Sequence, residues 1–368
     1  MEVKELIGHL LGGLGSWLAG DGPESGIVLS TRVRLARNIA GLPFWHRATR
    51  EQRRNVIETA RAAVGRSPSL GGASICTLEI PREVEDKERP PLERQFLLER
   101  HLISREMAAR DGESAIVVHS GESVSIMLNE EDHIRMQVLG SGFCLEDTWR
   151  RIDGVDDELN QTVEYAFSPR WGYLTACPTN VGTGMRASVM LHLPAQVTAK
   201  RVPSLLQNAA RSNCAVRGMY GEGSNVVGDF FQVSNQATLG QSEEEIIETT
   251  DRIVRDIISE EMQTREEMLK HNRRQLEDRV CRAVGTLENA RLMGTEELMQ
   301  QLSWVRLGVC LRMAPRYSIA TINRLMIEAQ PAHIQLREGR TVGPLERDAM
   351  RADLARALLG KKEMQQDV

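Results

Sequence analysis

Residues 114–139 read SAIVVHSGESVSIMLNEEDHIRMQVL. The pieces SAIVVHS, SVSIMLN and HIRMQVL are β-branched and alternate along their length, so each predicts a strand with one face turned inward. Gly121-Glu122 supplies the first turn and the acidic break at 129–132 the second. Three short strands joined this tightly predict an antiparallel meander.

Working outward, residues 51–64 and 92–109 predict helices, and residues 1–20 a short amphipathic helix broken by Gly12, Gly13 and Gly15. After the meander, a helix through 145–165 precedes short strands at 172–177, 186–193, 214–219 and 229–234, separated by Gly, Pro and Asn turns. Ser242 and Glu245 have capping-box spacing. They open a run in which Ile246, Ile247, Ile253, Val254, Ile257 and Ile258 recur at helical intervals. Beyond residue 265 the strand signal ends. The pattern predicts an α+β fold, a mainly antiparallel sheet flanked by helices over 1–264, with a helical C-terminal domain over 265–368.

With 368 residues, 41% of them hydrophobic and 26% charged, the chain can bury a sizeable core. No run approaches the roughly 18 apolar residues of a membrane span, and Glu2 and Glu5 stand where a secretion signal would be basic. Both point to the cytoplasm. The six cysteines lack C-x-x-C spacing and no H-E-x-x-H occurs, which leaves a zinc site or disulfide framework without support.

Of the 46 basic residues six are lysines, leaving 40 arginines, yet the formal net charge is −5. A general nucleic-acid coat is therefore excluded. The charge is instead segregated. Residues 26–50 hold five arginines and residues 165–221 six basic residues, neither with any acid, while acids gather at 81–93 and 243–268. With only 4% aromatic residues, these islands suit a compact phosphate ligand better than a single-stranded nucleic acid, which also needs stacking platforms.

No G-x-x-x-x-G-K-[ST] loop and no V-A-I-K, H-R-D or D-F-G set is present, so any nucleotide site is of another kind. Four segments combine charge with turn chemistry: Ser30-Thr31-Arg32-Val33-Arg34, the run Asn129-Glu130-Glu131-Asp132-His133-Ile134-Arg135, the loop from Cys177 to Ser188 (CPTNVGTGMRAS), and Arg217-Gly218-Met219-Tyr220-Gly221-Glu222-Gly223. In this order they resemble the signature of the phosphagen (guanidino) kinase family over roughly residues 20–264. The resemblance is closer still to the bacterial protein-arginine kinases. The helical N-terminal domain of the small-molecule enzymes has no room before residue 30. The tail also carries Arg347-Asp348-Ala349-Met350-Arg351-Ala352, similar to the R-D-x-x-R-A motif that binds phosphoarginine in those kinases.

That resemblance implies an ATP-dependent protein-arginine kinase with Mg2+ held mainly by phosphates and water. It implies ATP contacts at Ser30, Thr31, Arg32, Val33 and Arg34, at His101 and Arg135, along Arg186, Ala187, Ser188, Val189 and Met190, and along Arg217, Gly218, Met219, Tyr220 and Gly221. Arginine suits the task because its fork makes paired hydrogen bonds to phosphate oxygens and stays charged. Glu131 and Glu222 match the two carboxylates that fix the acceptor guanidinium and take its proton, and Cys177 the thiol beside it. Glu131 is preferred over its neighbours, since Glu130 and Asp132 point to other faces of an extended segment.

Arg347, Asp348, Arg351 and Ala352 would form a second, product-binding site. The implied partners are protein substrates with accessible arginines, a heat-shock repressor, a zinc-binding activator and a Clp unfoldase–protease, with the chain itself a homodimer or higher homo-oligomer. A free-arginine phosphagen kinase and a non-catalytic phosphoarginine-binding adaptor are the alternatives.

Overall fold

The computed structural model describes residues 1–78, 90–110, 112–218 and 227–360. The expected meander is formed by β3 (Ala115–Val118), β4 (Val124–Leu128) and β5 (Ile134–Ser141), which follow β1 (Val28–Arg37) and β2 (Ser74–Thr77). The remaining strands are β6 (Phe167–Ser168), β7 (Gly172–Tyr173), β8 (Met185–His192), β9 (Cys214–Gly218) and β10 (Phe230–Asn235). Eight of them make one sheet in the order β2-β3-β4-β5-β1-β8-β10-β9, with β6 and β7 a separate hairpin. Every pairing is antiparallel.

Helices α1 (Val3–Leu11), α2 (Arg50–Val64), α3 (Leu92–Glu99), α4 (Arg105–Ala109), α5 (Leu145–Asn160), α6 (Pro194–Thr198) and α7 (Val202–Arg211) surround the sheet. They are followed by α8 (Glu243–Asn289), α9 (Thr295–Cys310), α10 (Ile319–Glu328), α11 (Pro331–Glu338) and α12 (Pro344–Leu359). Among the described residues no helix is long and apolar enough to cross a membrane.

Side chains alternate across a strand, and here the alternation separates two chemistries. On one face Val33, Leu35, Ile126, Met136, Val138, Val189 and Val233 are buried against Ile57 of α2, Ile152 and Val155 of α5, and Ile246 and Val254 of α8. Each such side chain contributes roughly 1.5–3 kcal/mol through burial. The cross-strand partners place Arg32, Arg34, Gln137, Arg186, Ser188, Gln232 and Arg217 on the other face. One face of the sheet is thus committed to this core, while the other sets these polar groups between apolar patches, Leu139 and Phe230 in one and Ile116 and Met127 in another.

The Ser242–Glu245 capping box forms as expected and starts α8. This helix passes through residues 264 and 265 without interruption; its one non-helical residue is Asn272 (φ −132°, ψ 24°). Its second half packs with α9, α10 and α12 into a further core that includes Leu29, Leu139 and Phe230 of the sheet.

Three local expectations need correction. The helix expected over 92–109 is two helices, because His101 adopts a left-handed conformation (φ 58°) and the Ser104 hydroxyl then caps α4 by accepting from the Met107 N–H. The helix through 145–165 stops at Asn160, and Tyr165 bridges to Ile39 instead. Of the strand expected at 172–177 only Gly172–Tyr173 pairs, in the β6–β7 hairpin.

Candidate active site

Arg32 and Arg34 are two residues apart on β1, which lies between β5 and β8. Arg34 is therefore opposite Gln137 on one side and Arg186 on the other. Arg135 lies two residues before Gln137 on β5, and Arg217 pairs with Gln232. Neutral groups orient the row. Arg32 Nη2 donates to Gln232 Oε1 at 3.0 Å, and Arg186 Nη2 to Ser234 Oγ at 3.1 Å. The Nε of Arg34 is buried with no partner among the described residues. Burial, then the charges of Arg135 and Arg186, push the Arg32 guanidinium down to about 10. Arg34 is pushed down as well, by burial and then by Arg32, Arg135 and Arg186. Packing like charges this closely is costly, and a polyanion laid along the row would relieve it.

The acids lie at one end of this row. Residues 129–133 make a tight turn, with Asn129 left-handed (φ 60°) and its N–H donating to the His133 carbonyl at 2.9 Å. Glu130 is fully buried. It accepts from Arg135 Nη1 at 2.8 Å, the Glu131 N–H at 2.7 Å and Ser104 Oγ at 2.6 Å. Burial pushes this carboxyl up, but Arg135 and the other donors outweigh it and hold it below the usual range.

Glu131 is turned outward, its side chain 32% exposed, and lies 3.6 Å from Arg135. Asn180 Nδ2 donates to its Oε1 at 3.1 Å. Burial lifts the Glu131 carboxyl above the usual range; Arg135 opposes this, and Glu130 and Asp132 add to it. Asp132 is again buried and holds structure. The three consecutive acids therefore have three different environments.

Cys177 opens a 3-10 turn over Pro178–Asn180, with its Sγ 3.0 Å from Thr179 Oγ1. The loop then returns to β8 through two residues that only glycine fits. Gly182 has φ +112° and a Cβ there would lie 2.2 Å from the Thr238 oxygen; Gly184 has φ +65° and a Cβ would lie 2.6 Å from the Ala36 oxygen. His101 sits edge-on to Trp17, with ring centroids 5.5 Å apart. Its carbonyl accepts from Gln137 Nε2 at 2.6 Å. Burial and the Arg32 charge push its imidazole down to about 4, so the ring is neutral near pH 7. The assembly offers a cationic track for phosphates, ending at a carboxylate and a thiol that could receive a cationic acceptor.

Residues 83–264 match the family described as ATP:guanido phosphotransferase, C-terminal catalytic domain, and residues 273–368 match the protein-arginine kinase McsB C-terminal domain. A protein-arginine kinase of Symbiobacterium thermophilum is 45% identical over 343 residues, covering 93% of this chain and 96% of that one. One from Moorella thermoacetica is 44% identical over 343 residues, covering 93% and 97%. This chain belongs to the protein-arginine kinase family. Among solved structures, a lombricine kinase superposes on the kinase with a TM-score of 0.54 at 26% identity, covering 68% of this chain and 70% of that one. A duplicated taurocyamine kinase of Schistosoma mansoni gives 0.54 at 26% identity, over 64% of this chain and 33% of that one.

Within the kinase, Arg32, Arg34, Arg135, Arg186 and Arg217 share one face of the sheet, Ser188 lies on it, and Glu131 stands beside Arg135. Thr31, Val33, Ala187 and Val189 point to the opposite face and are buried there. Thr31 Oγ1, for instance, donates to the Gly142 carbonyl at 2.7 Å. Ser30 is buried, while Met190 is partly exposed against the second core. Gly218 ends β9. Met219, Tyr220, Gly221 and Glu222 lie outside the described residues.

Sequence reasoning missed Asn38, Asn180 and Gln232, neutral residues that orient the charged ones, and Gln137, which ties β5 to the His101 carbonyl. Asn180 alone lay inside a quoted motif. Among the described residues no three His, Cys, Asp or Glu side chains gather to hold a metal ion.

The C-terminal motif lies on α12 with an uneven exposure. Arg347 is partly exposed and donates to the Val342 carbonyl at 3.0 Å, and the Asp348 side chain is 37% exposed. Arg351 is buried, its Nε donating to the Ala329 carbonyl at 3.0 Å and its Nη1 to the Met293 carbonyl at 2.7 Å and Asp348 Oδ1 at 2.5 Å. Ala352 is fully buried.

Proposed function

We propose that the kinase transfers the γ-phosphoryl group of ATP to arginine side chains of proteins. The observation that carries this is the row of five arginines on one sheet face, in which Arg32, Arg34, Arg135 and Arg186 are crowded against their own repulsion beside Glu131. The row orients the phosphates and cancels their charge, which is most of what phosphoryl transfer requires of a protein. Arg34, whose buried Nε has no protein partner among the described residues, is placed to donate to a phosphate oxygen.

Glu131 holds the acceptor guanidinium and takes its proton as the nitrogen attacks phosphorus and the bond to ADP breaks, while Cys177 lies beside it and orients it without covalent chemistry. Glu222 is the second carboxylate by position in the motif. Mg2+ enters with ATP, bound mainly by its phosphates and water. The segment Arg347-Asp348-Arg351-Ala352 binds phosphoarginine through Arg347 and Asp348, with Arg351 fixing the helix beneath them. The phosphorylated proteins include stress-response regulators, and the mark directs substrates to regulated degradation. A heat-shock repressor, a zinc-binding activator and a Clp unfoldase–protease are the proposed partners of a cytoplasmic homo-oligomer.

Intact-protein mass spectrometry tests the reaction directly. Incubated with Mg-ATP and an arginine-rich disordered protein, the kinase should yield acid-labile phosphoryl adducts on that protein. Rapid phosphorylation of free arginine with the protein left unmodified would overturn the assignment of the acceptor.

A further inference from the structure

We infer that Asp132 is a positioning residue that fixes the Cys177 thiol relative to the Glu131 carboxylate. Asp132 is fully buried, and its Oδ1 accepts two hydrogen bonds, from Asn38 Nδ2 at 2.6 Å and from the Ala176 N–H at 2.6 Å. The residue just before the thiol therefore hangs from the residue just after the carboxylate. Three residues beyond Cys177, Asn180 Nδ2 donates to Glu131 Oε1 at 3.1 Å. The loop is pinned on both sides of the thiol to two adjacent residues of one turn.

Asn38 ties this unit to the end of β1. Its Nδ2 also donates to the Leu174 carbonyl at 3.0 Å, and its Oδ1 accepts the His133 N–H at 2.9 Å. Bonds to a carboxylate are stronger than neutral ones. Removing the acceptor would also leave the Asn38 amide and the Ala176 N–H without their partner. Asp132 acts on Cys177 through the Ala176 backbone, so its effect is geometric, and a displacement of about 1 Å in a reacting group can cost about 100-fold in rate. The inference rests on the reading that Glu131 and Cys177 face the acceptor guanidinium.

The test compares full-length wild type with Asp132→Ala, Asp132→Asn and Glu131→Gln. It measures kcat, the KM for ATP, and the rate at which iodoacetamide alkylates the half-buried Cys177, resolved by peptide mass spectrometry because Cys281 is exposed. Asp132→Ala should lower kcat by about 100-fold, leave the KM for ATP within about twofold, and change the Cys177 alkylation rate several-fold. Asp132→Asn keeps an oxygen at Oδ1 and should recover most of both losses. If Asp132→Ala does not fold, Asp132→Ser, whose hydroxyl is too short to serve Ala176, takes its place with the same expected split.

Unchanged kcat and unchanged Cys177 reactivity in the alanine or serine variant would overturn the inference. So would an equal loss in the asparagine variant. Full activity in Glu131→Gln would instead remove the roles given to Glu131, while the response of Cys177 to Asp132 would still stand.

Discussion

Arg34 and Arg186 are direct cross-strand partners on β1 and β8. Two cations occupy positions where opposite charges would favour pairing and like charges disfavour it. The buried Nε of Arg34 also lacks a partner among the described residues, so the arrangement costs stability that a bound anion would restore.

Arg34→Met should therefore raise the melting temperature of the ligand-free kinase by a few degrees, since a partnerless buried donor costs about 1–3 kcal/mol. Wild type should gain stability from ATP, by about 2.7 kcal/mol at a hundredfold excess over Kd, and the variant little or none. Differential scanning fluorimetry with and without ATP reads both effects. A variant that melts earlier than wild type and still responds fully to ATP would contradict the picture.

Glu131→Gln should reduce phosphoryl transfer by about 10²–10⁴-fold, the usual worth of a positioned acid–base group, and leave the ATP-induced thermal shift intact. The carboxyl is lifted above the ordinary glutamate range, and its ionised form is the active one. Activity should accordingly fall with acidification from a higher pH than an ordinary carboxylate, of pKa about 4.3, would give. Asn180 donates to that carboxylate and lowers its pKa, so Asn180→Ala should move the acid limb of the kcat profile further up.

Glu130 behaves in the opposite way. Its folded pKa is held below the ordinary value despite burial, by Arg135, the Glu131 N–H and Ser104. The stability it contributes is present above the unfolded pKa of about 4.3 and is lost as the pH falls through the lower folded value. Urea midpoints of wild type and Glu130→Gln should differ at pH 7 and converge in strong acid.

Arg347 and Arg351 should separate cleanly. Arg351→Ala leaves the Ala329 and Met293 carbonyls without their donor and should cost on the order of 3 kcal/mol, visible as early melting of the C-terminal helices. Arg347→Ala should melt near wild type yet lose binding of a phosphoarginine peptide in calorimetry. Retained binding in Arg347→Ala would remove Arg347 from the second site.

The meander, the helical tail and the arginine motifs were legible because period-two patterning, capping residues and charged motifs are local signals. The break at His101 was not, because ERHLIS contains neither Gly nor Pro and the left-handed residue there is held by tertiary contacts with Trp17 and Gln137. Glu131 differs in exposure from the buried Glu130 and Asp132, though not through alternation along a strand. Residues 129–133 form a turn closed by Asn129 and not an extended segment. The work of Asp132 depends on Asn38 and Ala176, 94 and 44 residues away, and no short window contains both ends of such a contact. The neutral residues that aim the arginines, Gln232 and Ser234, carry no motif and emerge only from strand register.

The pairing of β1 with β8 shifts register between Val28 and Ser30. From Ser30 onward the offset holds, and it sets Arg32 beside Ser188 and Arg34 beside Arg186. A slip of one residue would turn Val33 and Leu35 towards the polar face and drive Arg32 and Arg34 into the hydrocarbon interior. A misaligned chain could therefore neither bury its core nor grip its substrate. Burial of the core and assembly of the cationic row thus depend on one and the same register.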